Sequence, residues 1–161
     1  MPHTWFLQRD HERVARNTLH ENPYIVALSL GALGRTEEAI SGLRELEKTT
    51  STRRHDFMVA ARTLLEGDDG HSIVAVNRIV ASDFRDPEGL FYLARHLSHL
   101  RQLKPALEFF ERVVQGGFFC FPAMTSDPWL DPLRRKPGFT KLLSQAESEH
   151  REAAAAFANS R

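Results

Sequence analysis

The feature that most narrows the fold of this chain is an internal period. Gly34, Gly67 and Arg101 stand 33 and 34 residues apart. The same two steps link Val26, Val59 and Leu93, and then Ala27, Ala60 and Ala94. They also link Ala39, Ser72 and Ala106, then Leu43, Val76 and Phe110, and finally Leu46, Ile79 and Val113. Six columns share one register, and Arg101 alone breaks the size and hydrophobicity of its column. A period of this length marks an architecture built from one supersecondary unit, which buries its apolar face only by stacking on its neighbours.

The physics of the unit points to paired helices. The pattern predicts helices over about 23–34 and 36–48, 53–66 and 70–82, and 87–101 and 104–115. Breakers and caps separate the members of each pair: Gly34-Arg35-Thr36, Gly67-Asp68-Asp69-Gly70 and a looser Arg101-Gln102-Leu103. Thr36 is expected to be an N-cap, with Glu37 and Glu38 suiting the positive helix end. Asp86-Pro87-Glu88 places a cap, a first-turn proline and an acid in the expected order. The small residues Ala27, Ala60, Ala94, Ala39, Ser72 and Ala106 fall where two helices of a pair must approach closely. No run alternates with the period of two that a half-buried strand needs, so the expected class is all-α.

Residues 23–118 resemble three tetratricopeptide repeats, with Pro23, Asp56 and Leu90 standing where that family prefers a bulky tryptophan. The segment GGFFCFPAMTSDPWLDPLRRKPGFTKLL, residues 116–143, resembles the element that closes such regions in certain bacterial proteins, where the repeats follow a signalling domain. The resemblance implies a single domain over 1–161, a tetratricopeptide-like solenoid of helical hairpins wound as a right-handed superhelix. Residues 1–22 would form an N-terminal helix or cap, 23–118 the repeats, and 119–161 a capping segment with a C-terminal helix. Residues 4–20 read as helical around Trp5, Phe6, Val14 and Leu19 but outside the repeat register. They fit a degenerate second helix, a cap, or a chain that begins in mid-solenoid. Phe118, Phe119 and Phe121 are expected to fill the joint between the third repeat and the cap. The cap helix opens at Pro137, with Phe139, Leu142, Leu143, Ala146, His150, Ala153, Ala154 and Phe157 on one face.

The implied function is a protein–protein interaction scaffold in a bacterial signalling or regulatory setting, holding a peptide or partner domain in a concave groove. By the register, the groove positions of the first helices are Tyr24, Leu28, Phe57, Met58, Ala61, Leu65, Phe91, Tyr92, Arg95 and His99. A mostly apolar groove flanked by one arginine suits an amphipathic helix or an extended hydrophobic segment. The same side chains could instead bury against one another, or the N-terminal helix could fill the groove. The alternative function is self-association into a homodimer with no separate ligand.

Composition removes other classes. Twenty-one basic residues balance 21 acidic ones, so the counterion-displacing stripe of a nucleic-acid binder is not expected. No apolar run approaches the roughly 18 residues that would span a bilayer. A lone cysteine, Cys120, and no apolar leader point to the cytoplasm. His96 and His99 are three apart on one helix, but a closed zinc site needs about four ligands. One of the two is expected to pack between helices and the other to face outward. Asp68-Asp69-Gly70-His71 lacks the ligand alternation of a calcium loop and reads as a capped turn. GALG at 31–34 has no preceding strand and no lysine–serine pair, and no serine sits in a nucleophile elbow. The expectation is therefore no enzyme, no cofactor and no metal.

Overall fold

The structure, a computed structural model, describes residues 2–50 and 53–159. Among these residues it is all-α, with ten α-helices and one 3-10 helix. The helices are α1 (Pro2–Leu7), α2 (His11–Val14), α3 (Pro23–Ala32), α4 (Thr36–Glu47), α5 (Arg53–Leu65) and α6 (Asp69–Ala81). There follow α7 (Pro87–His99), α8 (Leu103–Gln115), α9 (Phe121–Ser126), the 3-10 helix Pro128–Leu133 and α10 (Pro137–Asn159). The chain divides into two compact units, residues 1–84 and 85–161.

In the first unit, neighbours in sequence pack as pairs: α1 with α2, α3 with α4, and α5 with α6. The pairs share one joint. Gly34 and Gly67 sit at φ 78° and 77°, and the N–H of the residue after each glycine closes a Schellman motif. Arg35 N donates to Leu30 O and Asp68 N to Thr63 O, both at 2.8 Å. The glycines meet a left-handed backbone that L side chains adopt at a cost. Arg9 takes the same conformation at φ 61°, with Asp10 N on Trp5 O at 2.8 Å. Residues 2–14 are thus a helical hairpin with the same joint, its second helix cut to one turn. The sequence hid it because an arginine occupies the left-handed position.

Capping follows the joints with one correction. Arg35, not Thr36, is the N-cap of α4, and it makes no side-chain cap bond. The left-handed turn ends one residue earlier than a threonine cap would need, so Thr36 is already helical. Arg35 instead grips Glu38 through two hydrogen bonds of 2.8 and 2.7 Å. Asp68 caps α6 by accepting from His71 N at 3.2 Å, and its second oxygen meets His71 Nδ1 at 2.6 Å. The backbone N–H of His71, and then its ring, hold the Asp68 carboxyl below its ordinary value. Asp68-Asp69-Gly70-His71 is therefore a capped turn.

Small residues let the paired helices close. Ala27, Ala39, Ala60 and Ser72 are fully buried, and Ser72 Oγ donates across the pair to Ala60 O at 2.8 Å. The α4 and α5 helices are tied by Arg62, which forks onto Glu47 at 2.8 and 3.1 Å and reaches Glu66 at 2.7 Å. Arg44 completes the chain of charges on Glu66 at 2.7 Å.

The second unit repeats the motif in α7 and α8. Arg101 is left-handed at φ 60° and Gln102 N donates to Leu97 O at 2.8 Å, the joint of Gly34 and Gly67 in the same register. Asp86 caps α7 by accepting from Gly89 N at 2.6 Å, ahead of Pro87. Ala94 and Ala106 are fully buried. Phe118 lies against Phe91 with ring centroids 5.3 Å apart. Helix α10 packs on α8 and α9, with Phe139 against Phe110 at 4.7 Å and Ala146 fully buried. His150 meets Phe119 O through Nδ1 at 2.9 Å. Beyond it, residues 151–158 are exposed, Ala153, Ala154 and Phe157 among them.

Candidate binding surface

The ten groove positions do not line an open surface. Tyr24, Leu28, Met58, Ala61, Phe91, Tyr92 and Arg95 are buried, Phe57 and Leu65 are half-buried, and His99 is exposed. The reason begins in the sequence of the first helices. Pro23–Leu30 of α3 and Gly89–Ser98 of α7 are buried without a break, so both helices are covered on every side. An all-round apolar run such as Tyr24-Ile25-Val26-Ala27-Leu28 is the pattern of a buried helix, and that signal was present before the structure.

Within the first unit, the groove positions pack on one another. Phe57 makes edge contacts with Tyr24 at 5.6 Å and with Phe84 at 5.4 Å. Leu65 lies over Gly31, where an added Cβ would come within 2.5 Å of Leu65 Cδ2. Glycine at 31 lets α5 approach α3, and Leu65 is taken up by that approach.

Within the second unit, the 3-10 helix lies on α7. Arg95 Nε donates to Asp127 Oδ2 at 2.5 Å with both side chains largely buried. The same carboxylate caps the 3-10 helix, accepting from Trp129 N at 2.9 Å. The Trp129 ring then covers Arg95, whose Cζ is 4.0 Å from its centroid, and stacks on His99 at 4.3 Å and 16°. His96 meets the Trp129 ring edge-on at 6.1 Å. It is wholly buried, and desolvation, followed by the charges of Arg95 and His99, pushes its pKa down to about 3. His96 is therefore neutral in the folded chain at ordinary pH. Arg134 ties the loop further, donating to Met124 O at 3.4 Å and Asp127 O at 3.1 Å. The closing segment occupies the face of α7 that the register assigns to a ligand.

What remains accessible is different in kind. Among the described residues, Val74 and Phe157 are large apolar side chains open to solvent, at 45% and 63% exposure. A recess lined by Trp5, Arg13, Arg16 and Asn17 opens on the first unit. Sequence reasoning took Trp5 as an apolar anchor and passed over the two arginines, because the turn that gathers them depends on the unforeseen joint at Arg9. Among the described residues, no group of three or more histidine, cysteine, aspartate or glutamate side chains could hold a metal ion. No described helix is long and apolar enough to cross a membrane. No family model matches the chain, and comparison with curated proteins and with solved structures finds no significant match.

Proposed function

We propose that this chain is a tetratricopeptide-like helical-repeat scaffold that binds another protein, in a signalling or regulatory setting. The observation that carries the reading is the joint at Gly34, Gly67 and Arg101. Three hairpins at a period of 33 and 34 residues share one left-handed turn and one pair of backbone hydrogen bonds. Stacked helical repeats create extended surfaces that such proteins use for binding, and the shared joint supports that reading. The partner surface is not the ten-residue groove set as a whole, because seven of those side chains are buried. Photo-crosslinking side chains placed at Trp5, Val74 and His99 test the reading in the native cell. A recurring protein attached from at least one position supports it. A chain that crosslinks to nothing from any of the three overturns it.

The second reading, a homodimer, is favoured by the exposed end of α10. Sedimentation of the chain over a range of concentrations decides it. A monomer throughout removes self-association, and a dimer lost in Phe157→Glu establishes it.

A further inference from the structure

The recess on the first unit has a volume of about 330 Å³ and is formed by α1, α2 and the turn that follows α2. Trp5 comes from α1, Arg13 from α2, and Arg16 and Asn17 from the turn. Asn17 holds the turn in place, since its side-chain nitrogen donates to Arg13 O and Val14 O at 3.0 Å each. The arginine-bearing turn is thereby ordered in advance, which lowers the cost of binding.

Most described arginines of the unit outside the recess are engaged, with Arg9, exposed and without a salt bridge, the exception. Arg35 is matched by Glu38, Arg44 by Glu66, and Arg62 by Glu47 and Glu66. Arg54 is spent on the carbonyls of His20 and Glu21. Arg13 has Asp10 at 3.3 Å, but Asp10 also caps α2 through its other oxygen, and the Arg13 side chain is 59% exposed. Among the described residues no carboxylate lies within salt-bridge distance of Arg16, which is exposed. Two arginines, of which Arg13 alone has a carboxylate within salt-bridge distance among the described residues, thus line a concavity with a half-buried indole. Tryptophan and arginine are the residue types that most often dominate interface energies.

We propose that this recess receives an acidic segment of a partner protein. A glutamate or aspartate would pair with Arg16 and Arg13 while a neighbouring apolar side chain lies on the Trp5 indole. The assignment rests on the scaffold reading and names the site and the partner chemistry for it. A peptide is favoured over a nucleic acid because the chain carries no net charge, and two arginines do not make the continuous basic stripe a phosphate backbone requires.

The chain's two tryptophans, Trp5 and Trp129, provide a signal and its internal control. The isotope-labelled chain is titrated with a short synthetic peptide of alternating glutamate and leucine while both indole N–H resonances are followed. The Trp5 resonance is expected to move saturably and the Trp129 resonance to stay. Arg13→Glu with Arg16→Glu should weaken the effect by about tenfold or more, with the amide resonances of α3 to α6 in the same unit unmoved as proof that its fold persists. Added salt should weaken it too. The proposal is overturned if Trp5 does not respond, if both resonances move together, or if the charge-reversed variant binds as well as the native chain. It is also overturned if a single-stranded oligonucleotide moves Trp5 and the peptide does not. If crosslinked partners persist while the titration fails, the recess is not the site and the scaffold reading stands. If no crosslinked partner forms from any position, the scaffold reading itself falls.

Discussion

Removing Arg95 alone leaves the buried carboxylate of Asp127 without its cation, with the Trp129 backbone N–H still on it and no guanidinium under the Trp129 ring. An uncompensated buried charge costs about 3–5 kcal/mol, so Arg95→Ala should lower stability by that order in chemical denaturation. The loss is expected in folding, since Arg95 is buried against Asp127 and Trp129. Ser98 presents the opposite case. Its Oγ is buried with no hydrogen-bond partner among the described residues. Ser98→Ala should therefore leave stability unchanged or raise it by about 1 kcal/mol, measured as a shift in the denaturation midpoint. His96 gives the chain a pH dependence with a definite sign. The unfolded chain takes up a proton near 6.5, and the folded chain resists until about 3. Its contribution is complete above pH 6.5 and is lost as pH falls toward 3, by at most about 1.4 kcal/mol per pH unit. His96→Gln should flatten the acid side of the stability profile, as thermal melts over that range would show. The bland expectation for the histidine pair, one packed inside and one facing out, matches the buried His96 and exposed His99. What no spacing could show was the clamp itself. Asp127 and Arg95 are 32 residues apart and belong to different kinds of segment.

At the scale of elements, the three central hairpins were legible because small residues and breakers recur together. The first helices end within two residues of expectation, at Ala32, Leu65 and His99, and so do the second helices, at Glu47, Ala81 and Gln115. The joint was half legible. Glycine announces a left-handed residue, whereas Arg9 and Arg101 adopt it unannounced. This makes Arg101→Gly a direct probe. Relief of the side-chain cost in the left-handed region should raise stability by about 0.5–1 kcal/mol after the added entropy of the unfolded chain is counted. A lower midpoint would show that the Arg101 side chain holds the turn in some other way. Of the two outcomes left open for the groove positions, burial against neighbours holds for seven of the ten, because the register says which positions correspond, not what covers them. Covering was decided by aromatic contacts at Phe57 and Phe84, and by a closing segment that folds onto α7.

At the scale of the whole chain, each unit has its own closure. In the second, α10 covers α8 and α9 through Phe139 and Ala146, with His150 on Phe119 O. Removing residues 137–161 would uncover Phe110, which Phe139 shields. The truncated chain is expected to aggregate or to lose cooperative melting, and static light scattering alongside circular dichroism checks it. The recurring joint has a kinetic consequence as well. Each left-handed turn brings its two helices together across only a few residues, and side-chain links such as Arg54 to His20 and Arg95 to Asp127 reach only 34 and 32 positions along the chain. Little loop entropy has to be surrendered before native contacts reward it, so low contact order places refolding in the microsecond-to-millisecond regime of helical proteins.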